Sequence, residues 1–351
     1  MIKKQTGEKV MKETKRYVWL DIVKIIACFF VIINHAHAQV FLVVRETAAN
    51  VIFDSFCFSI CKSAVPLFVM TSGYLLLQKE SDYKKAMLRI ARVGVPLIVL
   101  SVYYYFWSDN TDRSILGFIS HFFREPISIY LWYLYMVIGL YLVTPFLSKV
   151  IKVLKISDMM IFVIAFLIIP SMTDLLTTYF GYNLSSHFFN AFFPKAIACY
   201  VAGVVLARLP LKKELVWGTA AVYTVSIGLM MLSVCVRFFE TGERVYDFDS
   251  WLSFPVIMSS LSLFYIIRYF FENRKYGEKT TEVISTIGSV TFGVYLIHYF
   301  VLGKLFSLGF VRAMYSFNSY IAVIFVEVFC FAFCGLVIFA AKKIPYVKWF
   351  L

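Results

Sequence analysis

Charged residues are scarce in this chain. Only 16% of its 351 residues are Asp, Glu, Lys or Arg, whereas 61% are hydrophobic, and the mean hydropathy is +0.78. Soluble domains carry about a quarter charged residues, so the composition excludes an ordinary soluble domain. Apolar stretches of about 18 residues or more recur along the sequence. We therefore predict an all-α, polytopic integral membrane protein. A β-barrel would need alternating strands of about ten residues instead of continuous apolar runs.

The common signatures of metal sites and nucleotide-driven machines are also missing. The seven cysteines form no Cys-x-x-Cys or Cys/His metal spacing, so we expect no metal. No P-loop, dinucleotide fingerprint, His-Glu-x-x-His or Gly-x-Ser-x-Gly motif occurs at a plausible place. These absences disfavour an ATP-driven pump.

Ten apolar segments are predicted to span the membrane, giving a bundle of about ten transmembrane helices. Most Lys and Arg residues of the connecting loops lie on the side that carries both termini, which predicts cytoplasmic termini by the positive-inside rule. The same distribution explains the net charge of +13 without a nucleic-acid partner. The predicted spans are 17–44, 50–77, 93–108, 129–148, 158–178, 191–208, 215–238, 251–271, 284–307 and 318–341.

We expect a single membrane domain over residues 1–351. Residues 1–16 form a basic cytoplasmic N-terminus, residues 17–341 the transmembrane bundle, and residues 342–351 a cytoplasmic tail. The expected localisation is the cytoplasmic (inner) membrane, where membrane lipids surround the multi-pass chain.

Three polar residues share one stripe of the first span. Asp21, Lys24 and His35 fall within roughly 60° of one another at about 100° per residue. Ionisable groups at membrane depth are expensive and are usually kept for a purpose. A neutral imidazole at His35 could act as a general base, although a helix-packing histidine is the simpler interpretation. His37 points elsewhere and is interpreted as structural or interfacial.

A basic helical face precedes the third span. Lys85, Arg89 and Arg92 follow the spacing i, i+4, i+7, which places them on one side of a helix. Arginine forks bind phosphate bidentately. From spacing alone, an ordinary positive-inside anchor or a lipid-headgroup contact is the favoured interpretation of these residues, ahead of a phosphate site.

Five segments, taken in order, resemble acyltransferase family 3, a family of membrane enzymes. The first joins Leu-Asp, a basic residue and a His eleven positions beyond it, and RIAR matches an Arg-x-x-Arg motif. The resemblance covers nearly the whole chain and is closest to the single-domain branch that acylates surface polysaccharides. The segments are WLDIVKIIACFFVIINH (19–35), VPLFVMTSGYLLL (65–77), RIAR (89–92), YLWYLYMVIGLYLVTPFL (130–147) and SVTFGVYLIH (289–298).

The resemblance implies a bacterial O-acyltransferase. Its members move an acyl group, often acetyl, from cytoplasmic acyl-CoA to a hydroxyl of a cell-surface or lipid-linked glycan. Acetyl-CoA is then the co-substrate, and the saccharide acceptor is the other partner. By the resemblance, His35 is the catalytic histidine, and Arg89 and Arg92, together with Lys24, bind acyl-CoA. We also predict a catalytic role for Asp21 and expect the substrate site to be lined by His298, Tyr295, Trp132 and Ser72. Lys24 departs from the family, which commonly has Arg at that position.

Two other functions are compatible with parts of the sequence. A secondary transporter or exporter of a glycan or small polar solute also suits ten spans with buried polar residues, but it would favour an inverted repeat, which the sequence lacks. A sensor or scaffold without catalysis is the third. Within the enzyme hypothesis, His35 acts either as general base or as the carrier of the acyl group. The sequence does not decide the acceptor, the acyl chain or the oligomeric state, and it is compatible with a homo-oligomer.

Overall fold

The computed structural model describes residues 17–40, 47–107, 114–181 and 192–351. The described part is built from helices, and no strand occurs in it. The predicted basic segment 1–16 lies outside these ranges. The helices are α1 (Val18–Val40), α2 (Ala48–Cys61), α3 (Ala64–Leu77), α4 (Tyr83–Trp107), α5 (Ile115–Arg124), α6 (Trp132–Val153), α7 (Ile156–Val163), α8 (Ile169–Phe180), α9 (Phe192–Arg208), α10 (Lys213–Thr241), α11 (Phe254–Phe271), α12 (Glu278–Ser307), α13 (Gly309–Phe317), α14 (Ser319–Ala341) and α15 (Pro345–Lys348).

The prediction of an all-α polytopic membrane protein is confirmed. Among the described residues, nine helical segments are long and apolar enough to cross a membrane. The remaining predicted span, 191–208, corresponds to α9, whose described part has 17 residues. The cytoplasmic position of the termini stays a prediction.

Prolines explain two interruptions within predicted spans. The second span breaks at Lys62 and Ser63, between α2 and α3. Pro66 has no N–H to donate to the carbonyl of Lys62, and its ring crowds that carbonyl. The fifth span passes through a π-helical turn, Ile164–Ile168, just before Pro170, where a lost backbone bond favours such a bulge. The first of these breaks places Lys62 beside the candidate site.

Helix α1 packs lengthwise against α12. Cys28 lies near the carbonyl of Thr291, at 3.5 Å from the sulfur, and one helical repeat further on His35 meets His298. On α1, Cys28 and His35 are seven residues apart, and on α12 the residues they meet are also seven apart. Seven residues is the repeat of a coiled-coil seam between parallel helices. Close approach at the start of the seam needs Gly288, because a Cβ there would lie 2.8 Å from the Cβ of Asp21.

Candidate functional site

A cavity of about 1090 Å³ opens at the end of the bundle where His35 lies. We call this the cavity end. Its walls come from the C-terminal half of α1, the break between α2 and α3, the start of α6, the loop 242–251, and α12. Its lining residues include His35, His37, Phe58, Lys62, Tyr130, Trp132, Tyr133, Arg244, Tyr246, Asp249, Trp251, Tyr295 and Tyr299.

His35 is half-buried in the cavity wall. Its ring centroid lies 5.2 Å from that of His298 and 5.4 Å from that of Tyr299, with the tyrosine edge-on. Within the described part of the chain, His35 makes ring contacts but no hydrogen bond. An imidazole that reaches a cavity is placed for proton transfer or acyl transfer with a molecule bound there.

His298 lies behind His35 and is fully buried. Its Nδ1 lies 2.6 Å from the carbonyl oxygen of Tyr295. Its Nε2 has no hydrogen-bond partner among the described residues. The surrounding wall is fixed by two further bonds, since the Tyr295 hydroxyl donates to the carbonyl of Tyr130 and the Tyr130 hydroxyl donates to the carbonyl of Leu296 at 3.2 Å.

Aromatic rings form much of the cavity wall. Tyr130 and Tyr299 stack at 5.0 Å between centroids. Trp132 stacks on Trp251, which the loop after α10 supplies, at 5.9 Å. These arrangements fall in the favourable range for aromatic pairs, so they stabilise a wall with much apolar ring surface.

An ion pair between Lys62 and Asp249 lies at the cavity. The Lys62 ammonium lies 2.5 Å from a carboxylate oxygen of Asp249 and 4.5 Å from the centre of the Phe58 ring. The two members of the pair come from different elements, because Lys62 sits in the α2–α3 break and Asp249 in the loop after α10. This ion pair therefore ties the loop to the membrane helices.

A second cluster surrounds Asp54, which is fully buried on α2. His37 and Tyr246 hydrogen-bond to its two oxygens, and an Nη of Arg244 lies 3.7 Å away. In the loop, burial and the neighbouring Asp54 carboxylate raise the pKa of Tyr246 above its ordinary value, so the phenol remains a donor. The buried charge is thereby compensated and hydrogen-bonded, as a buried carboxylate requires.

The other end of the bundle carries the remaining predicted polar residues, and we call it the arginine end. The Lys24 ammonium lies 2.5 Å from an Asp21 oxygen, and Ser285 donates to the other Asp21 oxygen at 3.3 Å. Arg89 donates to the Ser81 hydroxyl at 2.8 Å, whereas Arg92 is exposed.

Aromatic contacts place Lys24 and the arginines at the same end. Tyr74, near the end of α3, packs against Tyr17 and Trp19 at the start of α1, with centroids 5.5 and 5.6 Å apart. The chain then turns into α4 within a few residues, which brings in Arg89. Eleven residues separate Lys24 from His35, or about 16 Å along α1.

A family comparison decides the class of protein. The model of the acyltransferase domain of acyltransferase family 3 matches residues 17–341, nearly the whole chain. The chain belongs to acyltransferase family 3. It is therefore a multi-pass membrane acyltransferase. No curated protein and no solved structure matches this acyltransferase.

The acyltransferase brings only some of the predicted site residues together. His35, Tyr295 and Trp132 line the same cavity, and His298 lies directly behind His35. Ser72 is half-buried on α3 and is not among the lining residues. The predicted acyl-CoA residues and Asp21 lie at the arginine end. Among the described residues, no group of three or more His, Cys, Asp or Glu could hold a metal ion.

Several residues of the cavity were not expected from the sequence. Asp54 is a carboxylate within a predicted span, and an ionisable residue in that position is itself an indication of a functional site. The loop sequence ETGERVYDFDS, residues 240–250, is charged and resembles a solvated connection, yet it supplies Arg244, Tyr246 and Asp249 to the wall. His37 also lines the cavity, on the side of α1 that faces α2.

Proposed function

We propose that this acyltransferase transfers an acetyl group from cytoplasmic acetyl-CoA to a hydroxyl of a cell-surface or lipid-linked glycan, in the cytoplasmic membrane of a bacterium. The observation that carries the proposal is the position of His35, which lies in the wall of a large aromatic cavity, about 16 Å along α1 from the basic residue Lys24. Catalytic and binding roles of individual residues are part of the proposal.

The cavity suits a saccharide acceptor. At about 1090 Å³ it is as large as the upper range of ligand pockets. Sugar rings present apolar faces that pack on aromatic rings, and the stacked pairs Tyr130–Tyr299 and Trp132–Trp251 offer such surfaces. Its basic groups Lys62 and Arg244 are already paired with Asp249 and Asp54, so the cavity favours a hydroxyl-rich ligand over an anionic one.

The arginine end suits the acyl donor. Arg89 and Arg92 are one turn apart on α4, and their guanidinium forks match the geometry of the CoA phosphates. Lys24 supplies a further positive charge deeper in the bundle, held in place by Asp21. Asp21 and His35 are fourteen residues apart, or about 21 Å along α1, so we assign Asp21 the role of orienting Lys24.

His35 then acts where the two substrates meet. As general base it removes the proton of the acceptor hydroxyl while the hydroxyl oxygen attacks the thioester carbon. The C–S bond of the tetrahedral intermediate breaks, and the same proton passes to the CoA sulfur. In the alternative route, a ring nitrogen of His35 displaces CoA and carries the acyl group until the hydroxyl attacks it. Both routes need the same residue at the same place.

The test is acyl transfer by purified protein in vesicles. Labelled acetyl-CoA and a cell-envelope glycan extract are supplied to wild type, His35→Ala and the control His121→Ala, whose histidine lies on α5 away from the cavity. We expect His35→Ala to abolish transfer while its melting temperature stays close to that of wild type, and we expect the control to retain transfer. Undiminished transfer by the folded His35→Ala protein would contradict the assignment of His35.

A further inference from the structure

The fully buried His298 has a fixed hydrogen-bonding state. A backbone carbonyl can only accept a hydrogen bond, so the short contact between His298 Nδ1 and the Tyr295 oxygen means that Nδ1 carries the proton. A charged imidazolium at a fully buried position is expensive. The ring is accordingly neutral, and Nε2 presents a lone pair.

That lone pair is unused by the described residues. Nε2 of His298 has no hydrogen-bond partner there, although buried polar atoms are almost always paired. The side chain cannot turn away from this position, because Tyr130 packs on it edge-on at 5.5 Å and Tyr295 at 5.7 Å between centroids. We therefore expect a hydrogen-bond donor to lie close to Nε2 of His298, next to the cavity wall.

The nearest ring that could supply one is His35. The two centroids are 5.2 Å apart, and a separation of roughly 5 Å corresponds to an N–H···N bond of about 2.9 Å when two imidazole nitrogens face each other. Which ring atoms of a histidine face a neighbour is decided by rotation of the ring. Rotation of His35 about its Cβ–Cγ bond changes which ring atom faces His298, and the centroid separation leaves room for an N–H of His35 to meet Nε2 of His298.

The seam between α1 and α12 keeps this pair in register. One repeat before the histidines, Cys28 meets the carbonyl of Thr291. Seven residues before Cys28, Asp21 accepts a hydrogen bond from Ser285, which lies six residues before Thr291. Sliding one helix along the other would break every one of these contacts together. The register thus presents His298 to His35 and to no other histidine of the cavity wall.

We propose that His298 is a positioning residue for His35. It accepts the N–H of His35 and so selects the tautomer whose other ring nitrogen presents its lone pair to the cavity. A base or nucleophile oriented by a third group is the general arrangement of such sites. The proposal rests on the proposed role of His35, and it assigns His298 no contact with either substrate.

The kinetic test compares His298→Leu with His298→Gln. Leucine removes the acceptor, whereas the amide oxygen of glutamine reaches the place of Nε2. We expect His298→Leu to lower kcat about 10- to 100-fold, as loss of an orienting partner does, with KM for both substrates unchanged. Glutamine should restore most of kcat. Equal losses in both variants, or a raised KM with normal kcat, would overturn the positioning role.

A second measurement separates this proposal from the proposed function. Nitrogen NMR of protein labelled at its five histidines reports the tautomer of each ring without any turnover, and His35→Gln identifies the His35 signals. We expect one tautomer of His35 in wild type and in His298→Gln, and a mixture in His298→Leu. The same tautomer mixture in wild type would overturn the proposal even if the enzyme is active. A single tautomer in an enzyme that does not use acetyl-CoA would leave the positioning intact and reject the function.

Discussion

The cavity end and the arginine end of this acyltransferase are built differently. At the cavity end, buried Asp54 holds three partners from two elements, and aromatic pairs fix the walls. At the arginine end, Asp21, Lys24 and Ser285 are also linked, but the two arginines have few bonds, since Arg89 bonds to one serine and Arg92 is exposed. A reacting group needs fixed geometry, whereas a site for the phosphates of an acyl donor must attract them and also let the spent donor dissociate. The difference supports acyl transfer at the cavity end and binding of the acyl donor at the arginine end.

The largest effect is expected from the buried carboxylate. Asp54→Ala leaves Arg244 and His37 without their shared partner, and breaking a buried pair in this way destabilises a protein by about 3–5 kcal/mol. Chemical denaturation in detergent measures the change. The matched control is Asp249→Ala, because that carboxylate is 74% exposed and exposed pairs contribute about 0–1 kcal/mol. Equal stability of the two variants would remove the contrast between buried and exposed pairs at the cavity end.

Removing the Arg89 guanidinium tests whether the arginine end binds the acyl donor. Arg89→Ala should weaken acetyl-CoA binding roughly tenfold or more, since hydrogen bonds to charged groups contribute about 1.5–3 kcal/mol. The affinity of Arg89→Lys for acetyl-CoA should lie between those of wild type and Arg89→Ala, because lysine keeps the charge but loses the bidentate geometry. Equilibrium binding of labelled acetyl-CoA is the readout, with Arg124→Ala on α5 as the control. Wild-type affinity in Arg89→Ala would return this arginine to the role of a membrane anchor.

A smaller effect is expected from the aromatic wall. Trp251→Leu removes the stacked surface opposite Trp132, and one aromatic contact is worth about 0.5–1.5 kcal/mol. We expect KM for the glycan acceptor to rise about two- to tenfold, with acetyl-CoA affinity unchanged. Trp217→Leu is the control, because Trp217 is 67% exposed on α10. A rise in KM for acetyl-CoA instead would place the donor in the cavity.

The fold and the main catalytic candidate were accessible from the sequence because they depend on local patterns. Long apolar runs give the spans, and the costly His35 within one of them stands out from its surroundings. Pairings between distant elements were not accessible. A helical wheel gave the direction of His37 correctly as different from that of His35, but it could not say that α2 brings Asp54 to that side.

Ser72 illustrates the same limit from the other direction. It lies in a segment that resembles the family, yet it follows Lys62 by ten residues, or about 15 Å along α3. The break before Pro66 puts Lys62 and the first residues of α3 on the cavity, so Ser72 falls nearer to the arginine end. Sequence similarity found the right helix, and only the position of the break says which part of it reaches the cavity.

The division between the two ends is tested most directly by sidedness. Protein is reconstituted in one orientation in sealed vesicles, and the orientation is read by labelling Ser250→Cys in the cavity loop with an impermeant thiol reagent. Acetyl-CoA and acceptor are then supplied to the same face or to opposite faces. We predict acetylated acceptor only when acetyl-CoA meets the face of Arg89 and the acceptor meets the face of Ser250. Equal turnover with both substrates on the Ser250 face would contradict it.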